Sequence, residues 1–524
     1  MSKPKEKKVR LKKDIGLLSL IFIGVGAIIG SGIFALPASM GSVAGPSFIL
    51  AVGLVGVIVG ILGLIYAELG SAFPDTGGPY VLPRLALGNT AGFITGWGYF
   101  LYAFTGTAAI IDVFVTYLAY YIPALASGLI LTPLGITIAV IVLWAFTLIN
   151  ILGVKYGAGF NVITTVAKLV PLVIFAIVGF IFLRGSNFSP FFEFGFGGVG
   201  LAMSLGFFSF TGFESVVIPG EEVKHPKRDI PLAMIATIVI VTAVYLLISI
   251  AFVGAIRWQS LGIQKGDWSS IGNLSSPLSS LVGGLGFPIL VAAIVIGAVI
   301  STLGGGNVWV LLQGRIPYAM ARDKLFPKKL DRVSKKYGTP VTSLVFASIL
   351  TTITLILLPS FPDVALIASI TTLVPYAMAA LALPVLRVTR KNVNRPFKLP
   401  AGKAFALVGF ILATTLIYWA SWPWTLVGAV AMLLGFPIYL LLKEQRMEVR
   451  RNLWYIIYLI GIIVISLLGD SNYVYQNFLP IGPMNILQTP YDLIAIVIFA
   501  SAMFYWGYRD NISSAAIAEK VVEK

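Results

Sequence analysis

Cysteine is absent from the 524 residues, and histidine occurs once, at His225. The first absence excludes disulfides, thiolate metal sites and a cysteine nucleophile. The second excludes a multi-histidine metal centre, and no cofactor is expected. Charge is the third scarcity: charged residues make up 11% of the chain and hydrophobic residues 58%. A water-soluble protein of this length needs far more polar surface, and a disordered chain needs less apolar bulk. What remains is a fold whose outer surface faces lipid.

The few charges are uneven in sign, with 37 Lys and Arg against 21 Asp and Glu and a net charge of +16. A bilayer span takes about 20 apolar residues. Hydropathy outlines fourteen helices, near 15–39, 47–72, 91–121, 132–152, 160–183, 197–220, 231–256, 286–316, 341–359, 363–388, 403–421, 424–443, 452–468 and 490–508. With the N-terminus in the cytoplasm, the outer links hold Arg184, Arg257 and Lys265 and no other basic residue. Lys168 lies within the fifth helix, and every other Lys and Arg falls on the cytoplasmic side. This is the positive-inside pattern. It predicts a multi-pass cell-membrane protein with both termini cytoplasmic. It also removes the nucleic-acid partner that a basic soluble chain would suggest. The basic N-terminus, residues 1–14, resembles a signal peptide at first, but the apolar stretch from Ile15 is too long for a signal core and many spans follow. The outer link 257–285 is expected to carry a short interfacial helix. Trp97, Trp258, Trp422 and Trp424 lie near helix ends and are expected in the aromatic belt.

Two spans are interrupted. The first helix contains Gly24-Val-Gly26-Ala-Ile28-Ile-Gly30-Ser31-Gly32-Ile33-Phe34, and the sixth contains Phe207-Phe208-Ser209-Phe210-Thr211-Gly212-Phe213-Glu214. Glycines at mid-membrane are costly for a regular helix. Close helix packing through Gly26 and Gly30 is the plainer explanation. A phosphate loop is excluded by the spacing and by the lack of a preceding strand. Glycine-interrupted spans at matching places in two halves point to an inverted-repeat transporter. An unwound segment in lipid must turn its free N–H and C=O groups toward a cavity or ligand. Amides near Ser31, Gly32 and Ile33, opening a second half-helix, favour a carboxylate. Carbonyls near Ile28, Phe208 and Thr211 favour an ammonium. Together they describe a receptor for an α-amino acid, with Gly30 and Gly212 supplying the turns.

Four stretches in order carry a family resemblance. They are Gly24 to Phe34, then Tyr66-Ala-Glu68 through Phe73-Pro74-Asp75-Thr-Gly77-Gly78-Pro-Tyr80, then Phe207 to Ser215 with Gly220-Glu221-Glu222 through Pro231. The fourth is Gly314-Arg315 through Pro327 with Lys336-Tyr337-Gly338-Thr339-Pro340. On these, residues 10–440 resemble the amino acid–polyamine–organocation superfamily of permeases. The two extra C-terminal helices resemble its fourteen-helix, cationic-amino-acid-transporter-like branch. The resemblance implies an all-α integral membrane fold with a five-plus-five inverted-repeat core, broken helices one and six, and four C-terminal helices. The expected division is the basic N-terminus 1–14, repeats over 15–183 and 197–388, helices eleven to fourteen over 403–508 and a cytoplasmic tail 509–524.

An intramembrane lysine is a functional candidate by default. The resemblance implies that Lys168 stands in place of a sodium ion and donates to carbonyls near Gly26 and Ile29, with Ser301 or Thr302 as further partners. A snorkelling or salt-bridged lysine is the alternative. The resemblance implies that Glu214 links the sixth-helix break to the cytoplasmic gate or carries a proton; the alternative is a structural acceptor that caps the new half-helix. Asp112 fits either a cationic side chain or an aqueous vestibule. Glu68 is expected to be structural or gating, with Arg315 or Arg322 as partner. The resemblance places Phe208 and Trp309 beside the substrate, and Tyr102 less strongly, against ordinary packing for each.

The function expected is secondary active amino acid transport by alternating access, sodium-independent and proton-coupled, with an amino acid, protons and the bilayer as partners. The alternatives are an amino acid or polyamine exchanger and a non-transporting amino acid sensor. The intact Gly30-Ser31-Gly32 run argues against a polyamine, which has no carboxylate. An enzyme is not expected, because no cluster of nucleophile, base or metal ligands shares one depth.

Overall fold

The computed structural model describes residues 15–73, 80–152, 158–217, 219, 222–441, 453–469 and 482–522, with side chains omitted over 158–167 and 514–522. The N-terminal lysines and arginine, Pro74 to Pro79, Lys155, Gly220, Glu221, the basic loop Lys443 to Arg451 and Lys524 therefore lie outside the described residues.

Among the described residues, seventeen α-helices account for the fourteen expected segments. The first segment is divided into α1 (Leu17–Ile28) and α2 (Gly32–Ala44), followed by α3 (Phe48–Ala72), α4 (Val81–Leu118), α5 (Pro133–Leu152) and α6 (Ala158–Ile181). Next come α7 (Gly195–Phe210), α8 (Pro226–Ala255), a short α9 (Pro277–Gly284), α10 (Pro288–Arg322), α11 (Val341–Leu357) and α12 (Phe361–Thr389). The remainder are α13 (Gly402–Trp419), α14 (Trp424–Leu433), α15 (Gly435–Leu440), α16 (Leu453–Leu468) and α17 (Tyr491–Val522). Proline opens α5, α8, α9 and α10, where its missing N–H leaves no bond unmade. Ala126–Ser127 and Ile130–Leu131 form a small hairpin between α4 and α5.

Several boundaries differ from hydropathy, α2 ending five residues late at Ala44 and α8 starting five early at Pro226 among them. Helix α4 begins about ten residues earlier than expected because it includes a short preceding helix, Val81–Leu87, joined to the main span across a kink at Gly88, whose φ is 89°. Helix α10 continues to Arg322, and α17 runs through the expected tail to Val522. Only the α17 extension, Arg509 to Val522, is strongly polar; the other two are short additions interrupted by Pro83 and Gly88 or by Pro317. The tryptophan belt is also corrected. Trp97, Trp258, Trp422 and Trp424 are all buried. Trp97 Nε1 donates to the Ala431 carbonyl at 2.9 Å, and Trp258 packs edge-on against Trp268 at 5.1 Å. The link 257–285 thus folds back over α2 and buries its aromatics there.

Among the described residues nine helical runs are long and apolar enough to cross a bilayer, counting Gly32–Ala72 as one. Helices α4 and α12 pack together at the centre, whereas α5 exposes Ile141 and Leu148, and α6 exposes Ile177 and Ile181. The packing partners follow a rule. Helix α3 meets α8, α4 meets α10, and α2 meets α7. The pairs α1–α8 and α3–α7 correspond, as do α4–α12 and α10–α6, α5–α10 and α11–α4, α6–α8 and α12–α3, and α1–α6 and α7–α12. With α1 and α2 together set against α7, and α3, α4, α5 and α6 against α8, α10, α11 and α12, the exchange returns each of these pairs, while α9 has no counterpart. Of the last helices, α13, α14 and α17 pack on α12, α15 meets α4, and α16 packs on α14 and α17.

Candidate functional site

The interruption in the first span lies at Ile29 to Ser31. Ile29 has φ −73° and ψ 90°, outside the helical region, and α2 restarts at Gly32. The opening amides of a helix have no intrahelical acceptor, and here they belong to Gly32 and Ile33. Ser31 precedes them; its hydroxyl is buried and has no hydrogen-bond partner among the described residues. In the sixth span α7 stops at Phe210. Thr211 is extended, and Gly212 has φ 98°, a conformation that favours glycine. A 3-10 turn, Phe213–Val216, then carries Glu214.

The two interruptions touch. A Cβ on Gly32 would lie 2.9 Å from the Ser209 Cα, and one on Gly212 would lie 3.0 Å from the Ala27 carbonyl oxygen. Glycine is therefore needed here for mutual approach as well as for unwinding. The Tyr245 hydroxyl of α8 joins both, directed at the Ser209 carbonyl at 3.1 Å and the Ile28 carbonyl at 3.3 Å. Thr211 turns back to donate its hydroxyl to the Phe208 carbonyl at 2.6 Å. Two of the carbonyls expected to receive an ammonium, Ile28 and Phe208, thus have internal donors in this conformation.

Lys168 reaches the first break from α6. Its Nζ donates to the Gly26 carbonyl at 2.9 Å and the Ile29 carbonyl at 2.8 Å, and the residue is 5% exposed. Its described partners are carbonyls and not a carboxylate, and its burial rules out snorkelling. Ser301 and Thr302 do not join it: Thr302 bonds the Ala298 carbonyl at 2.7 Å, and the Ser301 hydroxyl has no partner among the described residues.

Glu214 is buried between α4 and α12. It accepts hydrogen bonds from the Tyr99 hydroxyl and, at 2.8 Å, from Tyr376. Tyr376 packs edge-on against Tyr66 of α3 at 5.5 Å. One carboxylate therefore ties the sixth-span break to both central helices. On the other side of the break, Phe208, Tyr102 and Trp309 converge on Gly106. A Cβ on Gly106 would meet all three rings at 3.6–3.9 Å, and Tyr102 and Trp309 pack edge-on at 4.9 Å. Phe208 also meets Phe361 at 6.0 Å. Asp112 is 1% exposed and neither carboxylate oxygen has a described partner, so it does not line an open vestibule in this conformation.

Glu68 is bound at the end of α3, but not by Arg315 or Arg322. Arg387 donates to it through Nε at 2.8 Å and through a second nitrogen, the Leu399 amide donates at 2.7 Å, and Arg395 lies at 3.6 Å. The reason is packing: α3 meets α12 and α13, whereas α10 packs on α4. Arg84 instead pairs with Asp323 at the end of α10, at 2.6 Å, with the Tyr80 hydroxyl at 3.0 Å.

Paired helix interruptions, a lysine on the carbonyls of one and a carboxylate on the other suit non-covalent binding inside the helix bundle. The sequence pattern of the amino acid permease family matches residues 15–467. The chain belongs to that family. It is a transporter of the multi-pass membrane type, within the superfamily whose motifs its sequence carries, and not an enzyme. The permease is 30% identical to the aspartate-proton symporter of Bacillus subtilis, over 98% of this chain and 99% of the relative. It is 28% identical to the glutamate/serine transporter AimA of the same organism, over 96% and 94%. It is 27% identical to the arginine/ornithine antiporter ArcD1 of Lactococcus lactis, over 83% and 85%. Sequence inspection of the permease passed over Tyr245, Tyr99, Tyr376 and Gly106. A tyrosine inside an apolar span is the one local signal, and it does not say which carbonyl or carboxylate the hydroxyl meets.

Proposed function

We propose that this permease is a secondary active amino acid transporter, sodium-independent and proton-coupled, working by alternating access around the facing breaks. The observation that carries it is Lys168 on the Gly26 and Ile29 carbonyls. Unwound carbonyls at mid-membrane make a cation site. An ammonium that is part of the chain fills it without a metal ion. Unlike a metal ion, it can be neutralised by loss of a proton, which weakens its hold on the break. The name of the aspartate-proton symporter supports the proton, and that of the antiporter supports exchange as the second reading.

The substrate carboxylate is assigned to Ser31, Gly32 and Ile33, and its ammonium to carbonyls of Ile28, Phe208 and Thr211. The ammonium would displace the Tyr245 and Thr211 hydroxyls from two of these. Gly30 and Gly212 shape the turns, Phe208 and Trp309 face the side chain, and Glu214 links the break to α4 and α12. The exchangeable packing list supports the five-plus-five repeat, and the basic loops support a cell membrane with cytoplasmic termini.

The test is uptake by purified protein in liposomes, with labelled amino acids and polyamines, under a proton gradient, a sodium gradient or internal counter-substrate. Amino acid accumulation driven by protons and indifferent to sodium is expected. Dependence on internal substrate would make the protein an exchanger, and uptake of polyamines alone would overturn the carboxylate site.

A further inference from the structure

The outer links carry few basic residues, yet the fold brings two of them together. Arg184 follows α6, and Arg257 follows α8. The segments are stitched to one another. The Arg184 amide donates to the Gly254 carbonyl at 2.8 Å. The buried Asn187 donates to the carbonyls of Val253, Gly254 and Ile256 at 3.0–3.1 Å. A Cβ on Gly254 would lie 2.7 Å from Leu183, so the approach leaves no slack.

Arg257 is half-buried and lies over the Phe182 ring at 5.9 Å. Its Nη2 donates to the Phe182 carbonyl at 3.0 Å. Its Nη1 is buried and has no hydrogen-bond partner among the described residues. Burial and the neighbouring Arg184 charge both pull its pKa below the ordinary guanidinium value. Neither arginine forms an ion pair among the described residues. Like charges held together without an anion repel, and an unpaired buried N–H costs free energy. Capping of the α6 end accounts for Nη2 and leaves Nη1 unexplained.

The surroundings indicate the missing anion. Phe180 and Ile181, within four residues of Arg184, are exposed, and so is Ile289, two residues from the Phe287 that packs on Phe182; exposed apolar side chains of this kind suit lipid tails. A guanidinium beside such a face matches a phosphate in geometry and charge. We propose that Arg184 and Arg257 bind the phosphate of an anionic phospholipid headgroup, whose chains lie along the α6–α8 seam. The lipid supplies the counter-charge that the chain does not. It would clamp the ends of α6, which carries Lys168, and α8, which carries Tyr245, on the side opposite the basic loops.

The test uses the full-length protein, purified and delipidated in a neutral detergent. Phosphatidylglycerol, phosphatidylcholine or inorganic phosphate is added at equal phosphate concentration, and lipid retention is read by native mass spectrometry alongside the unfolding midpoint. Phosphatidylglycerol should bind the wild type and raise its midpoint more than phosphatidylcholine does. The R184A/R257A variant should lose roughly 30-fold in apparent affinity, taking two basic contacts at the usual interfacial strength. Should that variant not fold, R184K/R257K keeps the charge and loses the fork, and it should bind more weakly than wild type. Equal retention of phosphatidylglycerol in the variant and wild type would overturn the site. An equal midpoint shift with inorganic phosphate would overturn the lipid as its source.

Discussion

Gly32 and Ser209 meet across two interrupted helices, with room at the Gly32 Cα for a hydrogen and no more. That contact and its counterpart between Gly212 and Ala27 make one unit of two breaks that are far apart in sequence. Gly32→Ala should push the α2 start away from α7. Overpacking of this kind costs about 1–3 kcal/mol, read as a lowered unfolding midpoint, and transport should fall further than the lost stability explains. Full transport by Gly32→Ala would mean that the breaks need not touch.

Glu214 is held by Tyr99 and Tyr376 from separate helices. Tyr376→Phe removes one donor from a buried carboxylate, a loss of about 1.5–3 kcal/mol for a bond to a charged group. Glu214→Gln keeps shape and removes charge. If the acid carries a proton, Gln should abolish gradient-driven accumulation while sparing exchange. If the acid is structural, both variants should lower stability and leave the pH profile of uptake unchanged.

How far the fold could be read from sequence depended on the reach of each signal. Apolar length fixed the spans, since lipid penalises polarity over every turn of a helix. It failed where helices run on beyond a bilayer-length stretch, toward Val81, Arg322 and Val522. The glycine runs marked both interruptions, yet nothing local said that Gly32 and Gly212 face each other's strand of backbone. Lys168 was visible as a charge in an apolar span, and its carbonyl partners came from family likeness. Trp258 was misplaced because a tryptophan at a helix end looks the same whether it meets lipid or a folded link. Tyr245 stayed hidden, because its two acceptors lie 36 and 217 residues away.

Glu68 anchors the end of α3 to Arg387 and to the Leu399 amide. The carboxylate is fully buried, and the arginine is partly exposed. Breaking a buried pair by removing one partner costs about 3–5 kcal/mol, and the exposure of Arg387 sets the expectation at the lower end. Arg387→Ala should therefore destabilise the protein strongly, and Arg387→Ala with Glu68→Gln should recover part of the loss. A double variant no more stable than the arginine single variant would show that Arg395 and Leu399 hold Glu68 unaided.

The most direct test of the account concerns Lys168. Wild type and Lys168→Ala would be compared in liposomes for proton-driven accumulation and for counterflow at equal pH. The lysine bonds hold the first break in place, so Lys168→Ala should abolish accumulation, and any remaining counterflow should lose its pH dependence. Lys168→Arg keeps the charge but resists deprotonation; it should bind substrate and fail to accumulate it. Normal proton-driven accumulation by Lys168→Ala would contradict the central claim.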